Sequence, residues 1–303
     1  MNSLVNEEYH VKINVWQDIF TMSKYTDSLD PTKEKLKRVI TKYTLPTKGK
    51  CGLSNCGTAH NNGYIVETET GKLTNVGHIC GKNHFGVSFQ TLEKSFNREY
   101  RDRQAKEKIA SFMGNSSQYL ERVIDIENTY GKIGHIYKLQ QFFTHASKGC
   151  PSSTLVMIKL MVKNRNPTIY KTVKLSKKEY ETLEASGVKT PSMYKEISID
   201  SIDGLAFLYN ENNLRIYAED FKNPLDELLD LNVSSLSSSQ LNSWSKKIGE
   251  FDNTINQTHE IMRNSKIFLH RKNILKLKKL TPDDDMQFEY LTTTLKDQFN
   301  IKI

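Results

Sequence analysis

Residues 51–86, CGLSNCGTAHNNGYIVETETGKLTNVGHICGKNHFG, constrain the fold more than any other stretch of this chain. They hold three of its 4 cysteines, three of its 8 histidines and seven of its 15 glycines. Four cysteines in 303 residues are too few for a disulfide framework, so clustered thiols point to a metal. Zinc takes four soft or borderline ligands in a tetrahedron, drawn from thiolates and imidazoles. Cys51 and Cys56 bracket one tight turn, eased by Gly52 and Gly57. Tyr64–Val66 and Leu73–Val76 read as a hairpin around Thr70-Gly71. Gly77 to Gly81 form a second turn that delivers Cys80, and His84 follows four residues later, on the same face of a starting helix.

The expected ligands are therefore Cys51, Cys56, Cys80 and His84, with His60 and His78 competing for the fourth place or orienting a ligand. Turn, hairpin and helix start, in that order, resemble a treble-clef zinc site. Four protein ligands leave no open position for water, so the expected zinc is structural. The competing reading is a glycine-rich turn with buried free thiols.

The rest of the chain is that of a globular protein. Hydrophobic content of 37% and charged content of 26% argue against wholesale disorder. The most apolar run, Leu155 to Val162, is far shorter than a membrane span and carries Lys159. The start, MNSLVNEEYH, shows neither a basic stretch nor an apolar signal core, so a cytoplasmic location is expected and no membrane partner. The 43 basic against 35 acidic residues leave a net charge of +8, a hint of an anionic partner.

The patterning predicts an α+β, helix-rich chain divided as 1–113, 114–222 and 223–303. Alternation of Tyr9, Val11, Ile13 and Val15 predicts a strand over 8–17, and Asp30-Pro31-Thr32 a helix to about Thr41 followed by a loop over 44–50. A long helix is expected over 84–113, its charged stretch Arg98 to Lys108 forming a solvated arm, and two more over 117–129 and 134–147. Residues 155–163 and 169–175 read as a strand pair around Asn164 to Pro167, and Ser176 with Glu179 as a capping box that opens a helix to Ala185. Short strands are expected over 195–200, 205–209 and 213–218. Helices are expected from Asn223-Pro224, over 240–277, and over 284–298 after Thr281-Pro282-Asp283.

Catalytic signatures are missing from the sequence: it has no phosphate-binding loop, no H-E-x-x-H and no G-x-S-x-G. The best nucleic-acid candidate is KIFLHRKNILKLKKL, with Lys266, Arg271, Lys272, Lys276, Lys278 and Lys279 and no acid. Phosphate binding needs such convergent cations. The favoured alternative is one amphipathic helix that packs Ile267, Leu269, Ile274, Leu277 and Leu280 inward.

The string from Cys51, Cys56, His60 and Gly63-Tyr64 to GHICGKNHFG at 77–86 resembles a motif of phage and prophage accessory proteins. The long helices and mixed central module are also compatible with the Gabija anti-defence family, phage proteins that encase the bacterial Gabija nuclease–ATPase complex and block its DNA binding. That resemblance implies a non-enzymatic, phage-encoded inhibitor in the host bacterial cytoplasm, with a host defence complex as partner and self-association compatible. The alternative expectation is a zinc-stabilised DNA- or RNA-binding protein of phage or prophage origin.

Overall fold

The computed structural model describes residues 12–187 and 192–303. Packing groups the described residues into two units: those up to Glu107 with 236–242, and those from Lys108 to Ser235 with 243–303. Segments 114–222 and 223–303 thus lie almost entirely in one unit.

The first unit is built on an antiparallel sheet of order β1-β2-β3, comprising β1 (Leu36–Lys50), β2 (Ala59–Thr68) and β3 (Leu73–Val76). Tyr64 faces Val76 and Glu67 faces Leu73 across the β2–β3 hairpin, as the sequence predicts. Successive side chains of a strand point to opposite faces, and here both faces are covered. Val39, Val66 and Val76 pack with Leu29, Leu53 and Phe89 on one face; Ile40, Tyr43 and Ile65 pack with Ile19 on the other. The second face is closed by α1 (Trp16–Phe20).

Three expectations fail here. The part of the 8–17 strand within the described residues gives no strand; Trp16–Phe20 is helical instead. The 30–41 helix is absent, because Asp30 closes only a local turn, accepting from the Thr32 N–H at 2.9 Å. Val39, Ile40 and Thr41 are β-branched, and their burial within a two-sided sheet decides for strand. The expected loop over 44–50 is the end of β1, paired to β2 across a register shift between Thr44 and Gly49.

Helix α2 (His78–Gly114) begins six residues earlier than the sequence suggests and is broken at Gly86, whose φ of 57° and ψ of −132° only glycine adopts readily. The division between the units falls within α2, between Glu107 and Lys108.

The second unit contains α3 (Ser116–Tyr130), α4 (Ile133–Thr144), α5 (Ser152–Asn164), β4 (Thr168–Lys174), α6 (Lys177–Ala185) and β5 (Tyr194–Ser201), followed by α7 (Asn223–Leu229). Helix α8 (Ser238–Phe268), whose first residues belong to the first unit, then leads to α9 (Arg271–Lys276) and α10 (Asp285–Phe299). Its core is an aromatic lattice: Phe143 lies 5.0 Å from Phe142 and 5.1 Å from Phe268, and Phe251 lies 5.2 Å from Phe221, measured between ring centroids. Edge-on aromatic pairs of this kind add to simple area burial.

The expected strand over 155–163 is α5. Leu155, Ile158 and Met161 are buried at helical spacing, and a short apolar run cannot be typed by periodicity alone. The expected strands over 205–209 and 213–218 are instead single helical turns. They are held by Gln140, whose amide donates to the carbonyls of Phe207 and Asn212, each at 2.7 Å, and accepts from the Leu214 N–H at 3.0 Å. The capping box at Ser176 and Glu179 forms as expected, and so does the acidic start of the last helix, where Asp284 accepts from the Gln287 N–H at 3.1 Å.

Gly204 opens one of those turns with φ of +71°. A Cβ there would sit 2.6 Å from the carbonyl oxygen of Asn264 and 2.7 Å from the Phe268 nitrogen. Gly204→Ala should therefore destabilise the second unit by about 2–4 kcal/mol, left-handed strain plus overpacking. A fall in the denaturant midpoint at constant slope checks it.

Candidate metal centre

The cysteine segment leaves β1 at Lys50 and turns at once. The Cys51 N–H donates to the Thr58 carbonyl at 3.0 Å and the Cys56 N–H to the Leu53 carbonyl at 3.1 Å, which closes the turn that carries both thiols. Gly52 is tied to the hairpin, donating to the Asn75 carbonyl at 2.9 Å while its own carbonyl accepts from the Thr74 hydroxyl at 3.0 Å. The hairpin returns the chain to Gly77, and the Gly81 N–H bonds back to the Gly77 carbonyl at 2.8 Å, winding the first turn of α2 with Cys80 on it.

Cys51, Cys56 and Cys80 thereby converge, with their sulfurs all within 4.8 Å of one another. The Cys56 and Cys80 sulfurs are 3.4 Å apart, and the Cys51 sulfur is 3.8 Å from the Asn75 carbonyl. A tetrahedral ion with metal–sulfur bonds of about 2.3 Å holds its sulfurs roughly 3.8 Å apart. The three cysteines are close enough to bind a metal ion, and all are free of disulfides. Cys51 and Cys80 are buried in the cluster around Phe89 and Val66, while Cys56 is half-buried.

Electrostatics divides the three thiols. Burial pushes Cys51 up to about 12 and also raises Cys80. At Cys56 burial raises the pKa too, but the Thr58 backbone and hydroxyl and the two neighbouring thiols outweigh it and bring the thiol down to about 6. The surroundings thus favour the thiolate form at Cys56 and disfavour it at Cys51 and Cys80, and the three sites titrate together. A bound cation favours the thiolate form of all three.

The histidines part company with the cysteines. His84 is half-buried, one helical turn beyond Cys80, and stands outside the group formed by the three sulfurs. The exposed His78 places Nδ1 2.7 Å from Oε1 of the buried Glu93. His60 belongs to the other face of the sheet: its Nδ1 is 3.0 Å from the Tyr43 hydroxyl, its ring lies against Trp16, and burial lowers its pKa. The supporting polar groups were invisible in the sequence. Asn75 is fully buried; it accepts from the Tyr25 hydroxyl at 2.6 Å and donates to the Lys50 carbonyl at 3.0 Å, pinning the turn before Cys51.

In the second unit, the basic run 266–280 is not one helix. It spans the end of α8, then α9, then a tight turn at Leu277–Leu280, and Ile267 faces solvent. Lys276 lies 3.1 Å from Asp203 and 3.5 Å from Asp200, Lys279 lies 2.5 Å from Asp200, and Lys278 pairs with Asp285. Lys266 donates to the Thr129 carbonyl at 3.3 Å. Arg271 and Lys272 are exposed and form no ion pair among the described residues. The six cations thus do not form one free stripe.

No helix among the described residues is long and apolar enough to cross a membrane. Comparison of the chain with protein-family models, with curated proteins and with solved structures finds no match.

Proposed function

We propose that this chain is a non-enzymatic binding protein of phage or prophage origin that covers and blocks a bacterial anti-phage defence complex of the Gabija type in the host cytoplasm. Its N-terminal unit is a treble-clef-type module clamped by one structural zinc on Cys51, Cys56 and Cys80, with His84 as the fourth ligand. Three converging thiols support the metal, and zinc suits thiolate-rich tetrahedral sites. His84 stands one helical turn from Cys80, whereas His78 is engaged with Glu93 and His60 belongs to the other face of the sheet.

The observation that carries the binding role is the arm formed by β4, α6 and β5. Among the described residues the two strands pair only with each other, from Thr168↔Ser201 to Lys174↔Tyr194. Ile169 is buried at the base, and beyond it Tyr170, Met193, Tyr194, Ile197 and Ile199 are exposed. Alternation along β5 puts Tyr194 and Ile197 on opposite faces of the hairpin; a lone two-stranded hairpin is marginal in water, and exposed apolar side chains on both of its faces suit covering by a partner. Between α6 and β5 an open cleft of about 590 Å³, lined by Leu175, Leu183 and Tyr194, offers a socket for a partner side chain. A stable complex buries on the order of 1,200 Å² or more, so the arm acts as part of a wider contact surface.

The test is titration of the protein into a reconstituted Gabija nuclease while following DNA cleavage. A steric blocker gives a sharp endpoint at a fixed molar ratio and leaves its target unmodified. Ile197→Asp together with Tyr194→Asp should raise the amount needed well beyond that ratio. Loss of cleavage at a small fraction of the target concentration would indicate turnover and sink the proposal.

A further inference from the structure

Two cations of the basic run that form no ion pair among the described residues, Lys266 and Lys272, line one cavity. The end of α8, the start of α9 and the C-terminal residue of α3 surround a cavity of about 500 Å³ in the second unit. That volume lies in the range of small-ligand sites. Arg263, Lys266, Lys272 and Lys276 line it together with His270. Asp203 is the one carboxylate among its lining residues, and it is engaged by Lys276 at 3.1 Å. Lys266 and Lys272 form no ion pair among the described residues. Arg263 is paired with Glu260 at 2.5 Å and Lys276 with Asp200 and Asp203, which leaves Lys266 and Lys272 as the uncommitted cations of the lining, and a bound anion would relieve their repulsion.

The walls add a second requirement. Tyr130 and Ile267 also line the cavity, and the Lys266 ammonium lies 5.6 Å from the centre of the Tyr130 ring. Ile267 is an exposed large apolar side chain near the end of α8. The turn at Asp203 is tied to α9: Asn273 is buried, accepts from the Asp203 N–H at 2.9 Å and donates to the Asp203 carbonyl at 2.8 Å. A preformed pocket that pairs cations with an aromatic and an aliphatic wall suits a ligand with an anionic end and a flat apolar end.

We propose that this cavity binds a nucleotide, with its phosphate held by Lys266 and Lys272 and its base laid against Tyr130 and Ile267. The same chemistry is offered by a free mononucleotide and by the 5′-phosphorylated end of a nucleic-acid strand. The inference does not depend on the defence-complex reading, since its test needs only the isolated full chain.

The experiment is calorimetric titration of the full chain with AMP, with inorganic phosphate, and with a short oligonucleotide with and without a 5′-phosphate. Saturable one-site binding of AMP or of the phosphorylated oligonucleotide is expected, weakening as salt rises. Lys266→Gln and Lys272→Gln should each lower affinity about tenfold, the worth of one charge-assisted contact. Lys278→Gln, outside the cavity, should leave binding unchanged. Tyr130→Leu should narrow the preference for AMP over inorganic phosphate. Lys266 and Lys272 are exposed, so unchanged thermal unfolding of their variants is the folding control. Binding by the phosphorylated strand alone would support the pocket and identify a strand end as the source of the ligand. The proposal is overturned if neither AMP nor the phosphorylated strand binds saturably at low salt. It is overturned equally if the double lysine variant binds as well as wild type, or if inorganic phosphate binds as tightly as the nucleotide.

Discussion

Replacing Cys51 and Cys80 together by serine should abolish metal binding and unfold the first unit. The wild-type chain should carry about one zinc per molecule by elemental analysis, and the double variant none. The reasoning starts from what else holds the segment. The 51–58 turn is closed by two backbone hydrogen bonds and joined to β3 through Gly52 and Asn75. The three thiols sit on the cluster that contains Phe89, Val66 and Val76. Without an ion, two of the three are buried with raised pKa values and contribute only weak hydrogen bonds.

Metal binding to such a site is folding free energy, about 10–16 kcal/mol for structural zinc in small peptides at neutral pH. That is comparable to the whole stability of an ordinary domain, about 5–15 kcal/mol. Chelation of wild type should therefore disorder the sheet. The signal is available in Trp16, which packs on the first unit's core, once Trp244 of the second unit is changed to Phe. Acid should release the ion as protons compete for the thiolates. A fully folded wild-type protein that contains no metal would refute the assignment.

The second large effect is expected at Gln140, in the other unit. Gln140→Leu keeps the approximate volume of the side chain but removes two donors and one acceptor. The carbonyls of Phe207 and Asn212 and the N–H of Leu214 would then lack their partner. Each buried polar group left unpaired costs about 1–3 kcal/mol. Some relaxation and water entry are expected, so the total should be about 3 kcal/mol or more. Denaturant unfolding followed through Trp244 should show a lower midpoint at unchanged slope. A change of under about 0.5 kcal/mol, the range of ordinary surface substitutions, would show that Gln140 does not hold the 205–214 turns together.

Gln140 also explains why that region was misread. Segments 205–209 and 213–218, set between the turn residues Asp203-Gly204 and Asn210 to Asn213, pass for short strands, yet among the described residues no strand lies beside them. The partner that satisfies their backbone is one amide on a helix more than sixty residues earlier, at a distance of 2.7 Å from two carbonyls. No local pattern carries that information. The segments at 30–50 and 155–163 failed for related reasons. Asp30-Pro31 is a sound local helix start, but strand pairing of 36–50 with 59–68 overrides it. Leu155 to Val162 is too uniformly apolar to reveal its period, and burial of Leu155, Ile158 and Met161 on one side chose the helix.

Where the sequence succeeded, the determining interactions are short in range. The Ser176–Glu179 box, the Asp284 cap and the β2–β3 hairpin each depend on residues a few positions apart. The grouping of Cys51, Cys56 and Cys80 was also legible, because turn glycines and the hairpin between them leave few ways to arrange the thiols. By itself, then, the sequence determined the local punctuation and the candidate metal-binding trio. Tertiary structure alone decided that His60 faces the opposite side of the sheet and that His78 meets Glu93. It likewise split the basic run between ion pairs and a cavity, because Asp200 and Asp203 arrive there from a distant part of the chain. Capping and turn chemistry act over one helical turn or one loop, whereas the pairing of charges and the burial of polar groups depend on whichever segments the folded core brings together.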